Sequence, residues 1–209
     1  MKKQILVAEM KKVINEKGGE ALKKAKSEID AIYDIDNTLS KALLYFSKTT
    51  LSDPLPVFPA FVTISCEAVG GSAEIAVPFG EAIFLIASAA DLHDDIIDQS
   101  FSKGPKKTVF GKFGTIETIL AGDTLLTRGL TLLNEACASI PKEQGEIVNR
   151  LAANAIYELC IAESLETQLR TLGLKVKPID YNRVIKLKAG FARVIFLVFI
   201  DFFTSNPNG

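Results

Sequence analysis

The sequence predicts an all-α fold, and three observations carry the prediction. Apolar residues recur at spacings of three and four in almost every segment, the strict alternation of half-buried strands is hard to find, and Gly pairs and prolines interrupt the periodic runs at helix-like intervals. The 209 residues are 48% hydrophobic and 23% charged, which excludes extended disorder and leaves ample chain for a sizeable core in a single domain over 1–209. With 24 basic against 25 acidic side chains and no Arg/Lys-dense face, nucleic acid and a membrane surface are poor first partners.

Taken in order, Ile5, Leu6, Met10, Val13 and Ile14 form a stripe on a first helix expected to stop at Gly18-Gly19, since paired glycines commonly end helices. A second helix is expected over 20–36, with Ser40 to Lys48 a short third helix or its continuation. Pro54 and Pro56 forbid regular helix across 52–56. The run from Pro59 to Val69 is too apolar for a surface helix and ends at Gly70-Gly71. Pro78 is expected to open the next helix, Phe79 to Asp98, apolar all round at Ala82 to Ala87 and abruptly acidic at its end. A basic loop over 99–111 follows, then helices over Thr115–Ala138, Glu143–Thr171 and Asp180–Phe203, the last with Asp180 as N-cap and Ser205 to Gly209 as its stop.

Cys66, Cys137 and Cys160 are widely spaced and odd in number, which suggests neither a disulfide framework nor a structural zinc site and fits a reducing, cytoplasmic setting. The N-terminus reads as an amphipathic helix rather than a signal peptide. Val194 to Ile200, the most apolar run, is too short to span a bilayer, so no transmembrane segment is expected.

The informative feature is the acidic end of the Phe79–Asp98 helix. The helical period puts Asp91, Asp94, Asp95 and Asp98 on one stripe, because positions i, i+3, i+4 and i+7 stack. Four like charges that face a bundle need a positive partner, and a hard divalent cation supplies it best. The plain alternative is a solvated acidic helix end. Against it stand the apolar residues just before the stripe and the lysines Lys103, Lys106 and Lys107 just after, which could meet phosphate. His93, the single histidine, has no nucleophile or Cys/His grouping to pair with and reads first as a satisfied or surface side chain.

Beyond these spacings, the blocks Leu92-His93-Asp94-Asp95-Ile96-Ile97-Asp98-Gln99-Ser100, Thr108-Val109, Lys112-Phe113-Gly114 and Ile119 to Leu126, with Glu67 to Gly71 upstream and Tyr181 and Lys188 late in the chain, resemble the trans-isoprenyl diphosphate synthase (polyprenyl synthetase) family over roughly residues 40–200. The resemblance implies an all-α bundle of the isoprenoid synthase type around a central apolar cavity, dimeric or paired with a related subunit. It also implies Mg2+ on Asp94, Asp95 and Asp98, gripping an allylic prenyl diphosphate. Asp94, Asp98 and Lys188 are then the catalytic set, with Asp95, Lys103, Lys188, Glu163, Ala89 and Ala90 substrate-binding. Ala89 and Ala90, five and four residues before Asp94, would leave the cavity floor open for a longer chain. Gln168 accompanies Glu163 as a second polar group.

The departures from the family cluster on one side. Its GKxxRP motif, which holds isopentenyl diphosphate, falls on Pro54 to Pro59, its histidine on Ala87 and the second arginine after the aspartates on Gly104. At about 1.5–3 kcal/mol per charged phosphate contact, losing four should abolish ordinary affinity for that substrate. The family's second aspartate-rich motif lies beyond the Tyr181–Lys188 helix. No such run occurs before Gly209, where Asp201 stands alone. Three readings follow: a Mg2+-dependent prenyltransferase relative, including a single-substrate terpene-synthase-like or diphosphate-releasing variant; a non-catalytic or half-catalytic subunit of a heteromeric synthase; and a prenyl-binding protein without turnover.

Overall fold

The computed structural model describes residues 2–32, 37–52, 54–171 and 178–189. Among them are seven helices, α1 (Lys2–Ile32), α2 (Thr38–Thr49), α3 (Val57–Ala68), α4 (Ala73–Ile97), α5 (Val109–Ala138), α6 (Lys142–Thr171) and α7 (Pro178–Lys188), and one hairpin, β1 (Ser102–Lys103) with β2 (Lys106–Lys107). The all-α prediction therefore holds. The hairpin sits inside the expected basic loop, with Ser102 opposite Lys107 in an antiparallel pair.

α4 is the axis of the bundle because it is apolar on every side. One of its faces joins Val62 and Cys66 of α3, Leu133 and Ala136 of α5 and Val148, Ala152 and Ala155 of α6 in a single cluster. Its opposite face, through Leu85, Ala89 and Leu92, joins Ile29 of α1, Leu43 and Phe46 of α2 and Leu125 of α5. Each large side chain buried this way contributes about 1.5–3 kcal/mol, so the central helix is the most heavily stabilised element and a rigid base for whatever its end carries. By length and composition α4 could cross a membrane, yet 72% of its most apolar window is buried inside the bundle, the situation of a core helix.

Three expected boundaries are corrected. The Gly18-Gly19 pair does not end a helix, since α1 runs unbroken to Ile32 and neither glycine takes positive φ. Gly18 is instead a crossing point, where an added Cβ would come within 2.5 Å of the Pro56 carbonyl oxygen and 2.9 Å of the Ala60 nitrogen at the start of α3. The separate helix expected over 20–36 is thus the second half of α1, as far as Ile32. Pro78 does not open α4. Ser72 in extended conformation precedes the first turn at Ala73, and Pro78 lies inside the helix. A proline there removes one i→i−4 hydrogen bond, and apolar burial on both faces of α4 outweighs that loss.

The remaining boundaries agree closely. α5 begins at Val109, where the Thr108 hydroxyl accepts from the Gly111 N–H at 2.9 Å, and it kinks at Gly114 with φ of 82°, so its long straight part starts at the expected Thr115. α6 starts one residue early. α7 begins at Pro178, two residues before the expected cap Asp180, and proline suits the first helical turn, where its missing N–H costs nothing. The expected continuation to Phe203, the run Val194 to Ile200, Asp201 and the stop at Ser205 to Gly209 lie outside the described residues.

Candidate functional site

The acidic stripe occupies the last two turns of α4, the negative end of the helix dipole. That is the least favourable place for carboxylates, so they persist only with compensation from outside the helix. The stripe divides between two suppliers. Asp91 and Asp95 share Lys103 of the hairpin, whose Nζ lies 2.6 Å from Asp91 Oδ1 and 2.9 Å from Asp95 Oδ1. Asp98, the C-cap of α4, takes Arg170 of α6 at 2.5 Å.

The hairpin holds Lys103 in place through its own anchors. Thr108 donates to the Ser100 carbonyl at 2.7 Å, Tyr45 of α2 donates to the Lys107 carbonyl at 2.9 Å, and the Phe101 and Phe110 rings stack 4.8 Å apart. Burial works against the Lys103 charge, and its bonds to Asp91 and Asp95 outweigh that and hold the ammonium above its ordinary range. Asp95 is almost fully buried at 5% exposure; burial raises its carboxyl although Lys103 opposes the shift. Of the other loop lysines expected to meet phosphate, Lys106 turns toward α2, with Nζ 3.4 Å from the Thr49 carbonyl. Gly104, where the family carries its second arginine, is the hairpin turn with φ of 64°, a conformation that an arginine would adopt only under strain.

Asp94 is different. Half-buried, its carboxyl is pushed up to about 6 by burial first, then by the negative charges of Glu163 and Asp98, with Lys188 opposing. Among the described residues, Asp94 Oδ1 and Glu163 Oε2 are both buried without a hydrogen-bond donor, and the two carboxyls lie close enough to share a proton. Glu163 belongs to α6, and Lys188 of α7 reaches it at 2.8 Å and Glu166 at 2.5 Å. Burial disfavours the Lys188 charge, and the bonds to Glu163 and Glu166 more than restore it, raising the ammonium above its ordinary range. Gln168 is exposed.

Two buried carboxylate oxygens without donors cost free energy that a cation would recover, and an all-oxygen donor set suits a hard divalent ion. Among the described residues no group of three or more His, Cys, Asp or Glu side chains that could hold a metal ion is found. Asp94 faces Glu163 of α6, whereas Asp98 is solvent-accessible and pairs with Arg170 of the same helix.

With that geometry in place, the comparisons with known proteins decide the family. The polyprenyl synthetase family matches residues 57–200. The chain belongs to that family. Among its curated relatives, the geranylgeranyl diphosphate synthase of Sulfolobus acidocaldarius is 38% identical over 85 residues, 41% of this chain and 26% of that protein. The geranylgeranyl pyrophosphate synthase of Geoglobus acetivorans is 26% identical over 185 residues, 88% of this chain and 53% of the relative. The polyprenyl synthetase fold is shared with the crystal structure of geranylgeranyl pyrophosphate synthetase from Pyrococcus horikoshii, at a TM-score of 0.75 and 27% identity over 92% of this chain and 58% of that one. The geranyltransferase structure from Legionella pneumophila superposes with a TM-score of 0.76 at 18% identity, over 92% of this chain and 68% of that one, which shows the fold alone. The chain thus spans about a quarter to a half of the length of these two curated synthases.

Set against the synthetase expectations, the structure brings Asp94, Asp98, Glu163 and Lys188 to one place and Asp95 and Lys103 beside it. It separates the two alanines. Ala89 is 1% exposed within the α1–α2–α4–α5 cluster, whereas Ala90 lies one turn before Asp94 on the same face and is only partly buried. His93 Nε2 lies 3.3 Å from Asp123 Oδ1 and its ring packs on Gly122. Pro54 to Pro59 lead into α3 with no cation among them, and Ala87 is an apolar side chain on α4. Arg170 and Glu166 were missed by sequence reasoning. The signal existed, since Glu163, Glu166 and Arg170 fall at i, i+3 and i+7 on the predicted 143–171 helix.

Proposed function

We propose that this chain binds an allylic prenyl diphosphate through Mg2+ on the Asp94–Asp98 end of α4 and serves prenyl transfer in isoprenoid biosynthesis. The observation that carries the reading is the facing pair Asp94 and Glu163, each with a buried oxygen that no donor among the described residues satisfies. When bound, magnesium would neutralise the diphosphate oxygens and ease ionisation of the allylic carbon–oxygen bond.

The chain's own residues supply the rest. Asp94 and Asp98 hold the ion and Asp95 backs them. Lys103 from the hairpin and Lys188 from α7 flank the stripe and stabilise the negative charge that grows on the leaving diphosphate. Ala90 and Ala87, one and two turns before Asp94 on its face, are small and only partly buried, so the hydrocarbon chain would run along this side of α4. Because Pro54 to Pro59 and Gly104 carry no cations, isopentenyl diphosphate is not gripped in the family's usual manner. The acceptor is therefore held differently, or the reaction ends with release of diphosphate.

The test is direct. Purified protein with magnesium and farnesyl or geranyl diphosphate should release pyrophosphate, and Asp94→Ala should abolish release. Binding without release would reduce the reading to a carrier.

A second reading, a homodimer or a heteromer with a related subunit, is favoured by Ile116, Ile119, Leu120 and Leu130 on one helix, α5, with Ile116 72% exposed. For the heteromer release appears only on adding the partner chain, and in either case Ile116→Glu prevents the pairing.

A further inference from the structure

We propose that Arg170 is a diphosphate-binding residue, held on Asp98 until the ligand arrives and then transferred to it. The inference rests on the site reading above.

Arg170 sits on the face of α6 that also carries Glu163 and Glu166, two turns beyond Glu163, and it is the cation recorded on Asp98 itself. Its place follows from a deficit. The hairpin offers the stripe one cation, Lys103, because the neighbouring position is the turn glycine Gly104, and Lys103 is already shared between Asp91 and Asp95. Lys188 is likewise shared between Glu163 and Glu166. Arg170 answers to a single carboxylate in the stripe, and the pair is accessible, with the two side chains 47% and 36% exposed. An exposed ion pair of this kind is held weakly. A guanidinium forms two parallel bonds to a phosphate, and it does so better than an ammonium. A divalent ion on Asp98 would neutralise the carboxylate charge that holds the guanidinium, so occupation of the metal position loosens Arg170 beside the place where phosphate oxygens would collect.

Two titrations followed by calorimetry test the exchange, Mg2+ alone and then inorganic pyrophosphate with Mg2+ present, on the wild type, Arg170→Ala and Arg170→Lys. Arg170→Ala should weaken pyrophosphate about tenfold to a hundredfold and tighten Mg2+ alone a few-fold. Arg170→Lys should recover part of the pyrophosphate affinity. A residue that merely ties α6 to α4 would shift the melting temperature and leave both affinities unchanged, and that result overturns the inference while the site reading stands. A wild type that binds no pyrophosphate with Mg2+ overturns the site reading and this inference with it.

Discussion

Replacing Asp94 by Asn should make the protein more stable and disable its site. The carboxyl is raised from 3.8 to about 6, so the folded state binds a proton that the unfolded chain releases above about pH 4. Below that pH both states are protonated and the group contributes nothing. As pH rises from about 4 to about 6 the unfolded state loses its proton first, stability falls, and the loss is complete above the folded value. Two units at 1.36 kcal/mol each set a ceiling of about 3 kcal/mol. Solvent screening of a half-buried group lowers this to roughly 1–2 kcal/mol. Asn keeps the shape without the charge. At pH 7.5 Asp94→Asn should therefore be more stable by roughly 1–2 kcal/mol, a rise in Tm of about 3–6 °C for a chain of this size, and near pH 4 the difference should vanish. Urea unfolding followed by circular dichroism at pH 4, 6 and 7.5 measures it, with no metal added. A variant equal to or weaker than the wild type at pH 7.5, or a gain that does not change with pH, refutes the charge-burial argument. Saturating Mg2+ should erase the advantage by stabilising only the wild type.

Other outcomes follow from the same geometry. Ala90→Phe should shorten the prenyl chain accepted, read as the length of the tightest-binding diphosphate, while Ala89→Phe should instead overpack the core and cost about 1–3 kcal/mol; identical effects at the two positions would contradict the separation seen on α4. Lys103→Ala leaves buried Asp95 without its cation, so it should lower stability most at neutral pH and weaken pyrophosphate binding about tenfold or more; unchanged binding would remove Lys103 from the site. Gly18→Ala should destabilise by about 1–3 kcal/mol despite alanine's better helix propensity, because its methyl meets the Pro56 carbonyl. A gain in stability there would show that α1 and α3 separate freely at their crossing.

The sequence alone determined the helical class, most element boundaries and the acidic stripe, because period and composition are local properties that one chain segment carries by itself. The starts of the second-half helices fell within a few residues of expectation, as at Lys142, once the kink at Gly114 in α5 is counted. Local reasoning failed at Gly18 and Pro78. Both residues usually end or begin a helix, and here they are kept inside one by contacts with chain far away in sequence. Tertiary structure decided the division of the stripe. Helical spacing makes Asp91, Asp94, Asp95 and Asp98 equivalent, yet the hairpin satisfies two of them, α6 supplies Arg170 to the last, and Asp94 is left facing another carboxylate. Which carboxylate is starved of a partner depends on the desolvation and the opposing charges that neighbouring helices bring. Those are properties of the assembled bundle and of no single segment.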